Sequence, residues 1–404
     1  MNKKLLFGTL ILATLSFISC DKTEPTNIEL NLKSKELVEA NNNFGFRFFE
    51  TVISLEDVEK NIMISPLSVS QALSMALNGA KENTFMEMNS ALDFEGFTLT
   101  DINENNRELY NALIDHDTKV ELKIANSIWY RTDFIPKTDF ININQTFFNA
   151  EVNDFNPAQS QQSIDAMNKW VKENTKGKID QIVNEIKDED VMFLINAIYF
   201  KAEWKTKFKK SDTLPKEFTL DNGTKKEVET MIGEAEVTYK NEEKYAAIKL
   251  PYGYGKFNMI IYLPEEGYTT SDVVADLKET DFDSLNSMTP VKMDIWLPKF
   301  VFEYQNELID ELQQMGMHDA FVPFIANFSG IIDSEIYISG VTHKTYIKTD
   351  EEGTEAAAAT KITFGYTSVG PGEIIRINRS FLFAIVEEDT NSILFIGRVI
   401  DPSI

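Results

Sequence analysis

Apolar residues recur at helical spacing in the first third of the chain. Residues 35–53 place large apolar side chains at mixed intervals of three and four, which predicts an amphipathic helix. Residues 68–77 repeat this pattern just after a Ser-Pro turn, which favours a helix start. Residues 161–174 predict another helix, which we expect to end before Gly177.

Strands are predicted where apolar residues alternate with polar ones or form a continuous run. Alternation over residues 120–130 predicts a half-buried strand, and the apolar run 191–200 predicts a buried one. A helix is predicted at 307–315, and Asp389-Thr390-Asn391 predicts a hairpin between the last two strands. The second half of the chain contributes the other predicted strands, at residues 245–250, 257–263, 291–302, 335–339, 344–349, 381–386 and 393–399. Helices followed by long runs of strands predict an α+β fold with more than one sheet.

No linker rich in Gly, Pro or Ser divides residues 34–404, and no internal repeat occurs in them. One large domain is therefore the simplest division, although 404 residues would allow two or three.

The N-terminus has the pattern of an export signal. Lys3 and Lys4 precede an apolar stretch, residues 5–18, that is too short for a comfortable membrane span. The stretch ends at Cys20, the single cysteine of the chain, and polar residues follow. We therefore expect a bacterial lipoprotein signal peptide at 1–19, lipidation of Cys20 and a tether at 20–33. The alternative is an ordinary secretory signal with an incidental cysteine.

Composition narrows the class of protein. The formal charge is −25, from 64 acidic and 39 basic residues, which argues against nucleic acid and against a basic patch on an anionic membrane. One cysteine excludes an intrachain disulfide framework. With 43% hydrophobic residues, the chain has enough apolar material for a large core.

Motifs for enzyme chemistry are scarce. The sequence contains no G-x-S-x-G, H-E-x-x-H, P-loop or G-x-G-x-x-G motif. Its three histidines, His116, His318 and His343, lie far apart and in no recognised metal spacing. Adjacent carboxylates such as Glu387 and Glu388 would point to opposite faces of a strand. We therefore expect no catalytic activity, metal or cofactor, although a triad assembled in space stays open.

One long connection has the pattern of a strand. Residues 350–372 contain Gly353 near their start and end in a Gly-Pro-Gly turn. Alternation places Thr354, Ala356, Ala358, Thr360, Ile362, Phe364 and Tyr366 on one face. A loop with this alternation is a candidate for a strand in a second conformation.

The chain resembles the serpins, the serine protease inhibitor superfamily, over about residues 35–402. The matching blocks occur in the family's order at residues 61–68 (NIMISPLS), 196–204 (NAIYFKAEW), 297–300 (LPKF), 315–321 (MGMHDAF), 339–344 (SGVTHK), 351–360 (EEGTEAAAAT), 378–381 (NRSF) and 395–397 (FIG). The resemblance implies the serpin fold, with about eight or nine helices, three β-sheets and an exposed reactive loop at about 351–372.

The resemblance also implies a mechanism. In serpins a protease cleaves the reactive loop and is acylated, and the cut loop then enters the central sheet as an extra strand. The hinge of that loop would be Glu351, Gly353, Thr354, Glu355, Ala356, Ala357, Ala358, Ala359 and Thr360. Ser65, Asn196 and His343 match the family's polar cluster beneath the sheet, where His343 would hydrogen-bond the strands and control their separation. Trp204 and Glu351 match the region where insertion begins.

The cleaved bond is placed by counting. The family's spacing from Glu351 gives Thr367–Ser368, whereas counting back from Asn378 places the bond after Val369. Tyr366, Thr367, Ser368 and Val369 are thus all candidates, and no Lys or Arg lies between Lys361 and Arg376. This favours elastase-like targets first and chymotrypsin-like ones second.

Three hypotheses follow for the function. The first is a monomeric inhibitor that forms a covalent acyl-enzyme complex with serine proteases. In a broader version of this hypothesis, its targets also include cysteine proteases. The second is a non-inhibitory serpin that acts as a binding or chaperone-like protein, and the third is an unrelated lipoprotein hydrolase. In each case we expect an exported protein, lipid-anchored to a bacterial membrane on its periplasmic or cell-surface side.

Overall fold

The computed structural model describes residues 25–277, 280–354 and 374–403, without the side chains of residues 280 and 281. The predicted signal peptide 1–19, Cys20, hinge residues 355–360 and the candidate bonds at 366–369 lie outside the described residues.

Three of the longer helices begin at residues whose side chains bond to the free amides of the first turn. Asn31 accepts from the Ser34 amide, Ser65 accepts from the Ser68 amide ahead of Pro66, and Thr98 forms a capping box with Asp101. The helices of the described residues are α1 Leu32–Leu55, α2 Pro66–Leu77, α3 Glu82–Ala91, α4 Leu99–Leu113, α5 Thr138–Phe148, α6 Ser160–Asn174, α7 Thr270–Val274, α8 Thr280–Asn286 and α9 Ile309–Gln314.

Strands dominate the second half of the chain, as its pattern predicts. They are β1 Ile62–Ile64, β2 Val120–Arg131, β3 Glu151–Phe155, β4 Met192–Glu203, β5 Thr213–Thr219, β6 Lys225–Asn241, β7 Tyr245–Tyr252, β8 Phe257–Pro264, β9 Val291–Pro298, β10 Phe300–Glu307, β11 Thr342–Asp350, β12 Gly353–Thr354, β13 Ile374–Arg376, β14 Phe381–Glu387 and β15 Ile393–Val399.

Six strands form one sheet in the order β10-β11-β12-β4-β2-β3. Its neighbours are antiparallel except β2 and β3, which are parallel. Only two residues, Gly353 and Thr354, separate β11 from β4 in this order. We call it the central sheet.

The other nine strands are joined through the long strand β6. Residues 238–241 of β6 pair with β7, and residues 230–237 pair with β9. Strand β6 thus belongs to two sheets, which with the central sheet make three. The predicted α+β fold with three sheets is confirmed.

The inner face of the central sheet packs on the second sheet through aromatic rings. Phe200 on β4 lies edge-on against Tyr252, Phe257 and Phe395, with ring centroids 5.6, 5.8 and 6.3 Å away. Helices α1 and α2 contribute to a second apolar cluster that includes strands β14 and β15. A side chain on the inner face of the central sheet near Phe200 must therefore fit over a packed layer of aromatic rings.

Two strand predictions are wrong. Residues 335–339 form no strand, because the Ile338 amide bonds to the Ala320 carbonyl rather than to a strand neighbour. The predicted strand 291–302 is two strands in different sheets, β9 and β10. The first ends at Pro298, which has no amide hydrogen to continue the ladder.

The described N-terminal segment lies against the body of the protein. The Ile28 amide donates to Asp389 at 2.9 Å, and α1 begins at Leu32, so the expected domain boundary at residue 34 falls inside this helix. Within the described ranges, no helix is both long and apolar enough to cross a bilayer.

Candidate functional site

Strand β12, which consists of Gly353 and Thr354 from the predicted hinge, lies between β11 and β4 in the central sheet. Gly353 and Thr354 pair with Glu203 and Ala202 of β4 on one side. On the other side they pair with Asp350 and Thr349 of β11. In the described residues, β4 and β11 bond to β12 and to their outer neighbours but not to each other.

Only glycine fits at the first of these positions. Gly353 has φ +150°, and a Cβ there would lie 2.0 Å from the Ala202 carbonyl oxygen. Both the conformation and the contact with backbone exclude a larger residue unless β12 moves. The glycine thus permits the turn between β11 and β12 to enter the sheet.

Thr354 faces the inside of the fold. It is buried, and its hydroxyl oxygen lies 2.6 Å from the Tyr252 hydroxyl. The Trp204 ring stacks on Tyr252 at 4.4 Å between centroids, and its indole N–H donates to the Asp350 carbonyl at 2.9 Å. Trp204 and Thr354 are therefore joined through Tyr252.

The turn that precedes β12 is held by charge. The Lys299 ammonium donates to Glu351 at 3.0 Å, and the Thr213 hydroxyl donates to the same carboxylate oxygen at 2.8 Å. Burial by itself raises the pKa of Glu351, but its hydrogen bonds, including those from Thr213 and Lys299, outweigh burial and leave this pKa below its usual value. Glu352 points elsewhere and pairs with Lys207 at 2.9 Å. The adjacent carboxylates thus tie the turn to different segments.

The three residues of the predicted polar cluster meet at the N-terminus of α2. The His343 Nε2 atom accepts the Ser65 amide hydrogen at 3.1 Å, while the Ser65 hydroxyl caps α2. Asn196 accepts instead from the Ser68 hydroxyl and donates to Asn126 at 2.7 Å. These bonds tie β11 and β4 separately to α2.

Burial keeps His343 neutral. The side chain is enclosed, and desolvation lowers the pKa of His343 to about 4. The neutral ring accepts at Nε2, so its hydrogen must be at Nδ1. Protonation of Nε2 would remove the acceptor for the Ser65 amide.

The space beside β12 differs along the sheet. Next to Thr354 lies a gap of about 20 Å³, lined by residues including Phe200 and Ile347. Further along, a cavity of about 600 Å³ lies between β4, β11, α2 and the segments 182–191 and 336–341. Asn196 and His343 contribute to its lining.

Several contact residues were missed by the sequence analysis. They include Tyr252, Lys299, Ser68 and Asn126, which bond to predicted site residues. Lys299 and Ser68 lie inside matched sequence blocks, so a signal for them existed. Tyr252 and Asn126 lie on strands that only tertiary pairing brings beside the hinge and Asn196.

The other histidines lie away from this site. His318 is exposed, and its amide donates to Glu87 at 2.8 Å. His116 lies instead beside Glu387, whose burial raises the pKa of that carboxyl to about 7. Strand β14 ends at Glu387, so Glu388 lies in the turn that follows, where it pairs with Lys249 at 2.9 Å.

Comparisons with known proteins agree on one family. The model of the family described as serpin (serine protease inhibitor) matches residues 39–402. Iripin-2 of Ixodes ricinus is 33% identical over 377 residues, which cover 90% of this chain and 93% of that protein.

Solved structures show the same likeness. The native state of Tengpin, a thermophilic serpin, has a TM-score of 0.82 and 33% identity, covering 93% of this chain and 96% of that one. Human thyroxine-binding globulin in complex with its hormone has a TM-score of 0.81 and 28% identity, with coverage of 92% and 99%.

The buried His343 predicts a loss of stability in acid. The unfolded chain takes up the proton near pH 6.5, whereas the folded protein resists until about pH 4. The free energy of unfolding should therefore fall as the pH drops through this range, by about 3 kcal/mol from this group. The measurement is the urea midpoint of wild type and His343→Gln at several pH values.

Glu387 acts in the opposite sense, because its raised pKa lets the folded protein take up a proton first. It is common to both proteins, so the difference between them isolates His343. His318→Gln, on the exposed histidine, is the control and should keep the wild-type profile. Equal pH profiles for wild type and His343→Gln would contradict the assignment.

Gly353→Ala should release β12 from the central sheet. The new Cβ meets the Ala202 carbonyl, and the conformation costs about 1–3 kcal/mol for a residue other than glycine. Hydrogen exchange should show reduced protection of the amides of Thr354 and its partners on β4. Gly340→Ala is the control, because its Cβ would come no closer than 3.4 Å to Glu307. Unchanged exchange in Gly353→Ala would refute the role of this glycine.

Proposed function

Because this chain belongs to the serpin family, we propose that it inhibits serine proteases by cleavage and insertion of residues 351–372 into its central sheet. Members of the family generally inhibit proteases rather than catalyse reactions. The observation that carries the proposal is the position of β12, which occupies the start of a strand between β11 and β4. Extension of β12 would complete that strand.

The register of β12 fixes where further residues would go. Thr354 pairs with Ala202 and Thr349, and antiparallel pairing moves one residue back on each neighbour for every residue added. Ala356 would then lie between Phe200 and Ile347. Thr360 would lie between Asn196 and His343, in the polar cluster.

Residue size along the proposed strand matches the space beneath it. Ala356 and Ala358 would face the region of the 20 Å³ gap, where the aromatic layer leaves room only for small side chains. Ile362 and Phe364 would face the 600 Å³ cavity, beside Leu194 and Met192. Insertion would therefore fill the space in order of increasing side-chain size.

The driving force follows from this match. Burial of each large apolar side chain contributes about 1.5–3 kcal/mol, and each new strand hydrogen bond about 1 kcal/mol. Ordering costs about 1–2 kcal/mol per residue, so small residues at the hinge contribute little beyond pairing. The larger residues, Ile362 and Phe364, supply the gain late in insertion. This order suits a device that begins insertion easily and completes it irreversibly.

The class of target protease is inferred from the candidate residues at the cleaved bond, 366–369. Thr367 and Val369 suit an elastase-like protease, and Tyr366 suits a chymotrypsin-like one. The absence of Lys and Arg between Lys361 and Arg376 argues against a trypsin-like target.

A non-inhibitory binding function is the second candidate. The likeness to thyroxine-binding globulin, crystallised with its hormone, favours keeping it. The two functions differ in outcome, because a non-inhibitory relative would be cut by a protease without trapping it.

Incubation with pancreatic elastase should give an SDS-stable complex of one chain and one protease. Mass spectrometry of the released C-terminal peptide should place the cut within residues 366–369. Trypsin, which needs Lys or Arg, is the control and should give no complex at this bond. Cleavage by elastase without a complex would favour the binding function. A complex formed with trypsin and not with elastase would overturn the target class.

Thr354→Arg tests insertion in the same assay. An Arg at this buried position would place an unpaired charge against Tyr252, so insertion should slow and the chain should be cleaved as a substrate. Thr354→Ser keeps the hydroxyl and is the matched control, which should still trap. Equal trapping by the Arg variant would contradict the insertion mechanism.

We propose further that the chain is anchored to a bacterial membrane through a lipid on Cys20. The support is the order of Lys3 and Lys4, the apolar residues 5–18 and the cysteine. The described chain begins five residues after Cys20, and by Ile28 it is bonded to the domain. The anchor would thus hold the inhibitor close to the membrane surface.

Expression in a bacterium with labelled fatty acid should yield a labelled protein in the membrane fraction. Cys20→Ser removes the thiol that carries the lipid and should abolish the label. Lys22→Ala, in the adjoining segment, is the control and should keep it. A wild-type protein that is exported without the label would contradict the anchor.

A further inference from the structure

A histidine and two carboxylates converge where the hairpin of β14 and β15 meets the segment after α4. The His116 Nε2 atom lies 3.4 Å from Asp389 Oδ2 and 3.6 Å from Glu387 Oε1. One ligand atom from each of the three residues lies within 4.8 Å of the others. Sequence spacing gave no sign of this cluster, because folding alone brings His116 to the hairpin.

The histidine nitrogen lacks a hydrogen-bond partner. The His116 side chain is only 9% exposed, yet Nε2 makes no hydrogen bond to the described protein. The oxygens it faces are beyond the usual hydrogen-bond length of about 2.7–3.2 Å. A buried, unpaired ring nitrogen aimed at two carboxylates is the geometry of a ligand set.

We propose that His116, Glu387 and Asp389 bind a zinc-type divalent cation with a fourth position open to water. A tetrahedral ion with bonds of about 2.0–2.2 Å places its ligand atoms roughly 3.3–3.6 Å apart. The two histidine–carboxylate separations, 3.4 and 3.6 Å, match that spacing. An octahedral magnesium site would need edges of roughly 3.0 Å and oxygen ligands, which an imidazole does not offer.

Glu387 has a free acceptor position for the ion, whereas Asp389 would exchange one of its present contacts for it. Glu387 Oε1 accepts the Asp389 amide at 3.1 Å, which leaves one lone pair. Asp389 Oδ2 accepts from the Ile28 amide at 2.9 Å and from Lys256 at 2.8 Å, while Lys256 also reaches Oδ1 at 3.0 Å. A cation at Oδ2 would therefore displace one contact of Lys256 and leave the other.

The charge at Glu387 favours a cation, although Lys256 already pairs with Asp389. Glu387 is fully buried, and among the described residues only His116 lies within ion-pair distance of it. Two amides and a hydroxyl, from Asp389 and Thr390, orient the Glu387 carboxylate as a second shell would. A bound dication would compensate the buried charge and, through Asp389, hold the N-terminal segment at Ile28.

Zinc titration of the full chain by calorimetry tests the site. Wild type should bind one ion, and His116→Ala should weaken binding at least tenfold. His318→Ala, which removes an exposed histidine elsewhere, is the matched control and should bind as wild type. Cys20 is present in all three proteins, so its contribution cancels.

Cobalt supplies the geometric readout. The wild type should gain the intense visible absorption of a four-coordinate cobalt site, zinc should displace it, and magnesium should not. His116→Gln, which keeps a polar side chain of similar size, should lack the band while its circular dichroism without metal matches wild type. Equal zinc affinity in wild type and both His116 variants, a loss in His318→Ala, or no binding by wild type would each overturn the proposal.

Discussion

The central sheet depends on how strands β4 and β11 are held apart on either side of β12. Strands β4 and β11 lie on either side of β12, and over the described residues they share no hydrogen bond with each other. Each is instead attached to the same helix end, β4 through Asn196 and Ser68 and β11 through His343 and the Ser65 amide. Because the two attachments are independent, the strands can stay fixed to α2 while a further strand enters between them. That arrangement is the physical basis of the proposed insertion.

The turn between β11 and β12 is held in place at the end of the gap between β11 and β4. Gly353 lets the backbone turn against β4, and Thr354 occupies an inward position over Tyr252. Lys299 and Glu351 hold the turn in place by charge. These contacts hold the turn and β12, while the space that the proposed insertion would fill lies further along, in the cavity between α2 and the central sheet. The proposed inhibitory function uses that separation.

Local sequence predicts most regular elements, because their periods follow from burial on one face. Helices α1, α2 and α6 and strands β2, β4, β14 and β15 were predicted close to their bounds. The strand predictions fail where apolar residues alternate without strand pairing, or where one apolar run contains two strands. Residues 336–339 all line a cavity and form no strand, and the run 291–302 hides a change of sheet after Pro298. Strands β5 and β6 were not predicted, since their exposed faces leave few apolar residues.

The sequence by itself determined the family, because the matching blocks are contiguous and their order can be read along the chain. Three of those blocks contain Ser65, Asn196 and His343. Tertiary structure decided which partners these residues have. It showed that His343 bonds to the Ser65 amide rather than to Asn196, and that Tyr252 joins Trp204 to Thr354. It also brought His116 to Glu387 and Asp389. Such contacts depend on strand register and on the packing of sheet against sheet, which place residues far apart in sequence within a few ångströms and leave no local pattern.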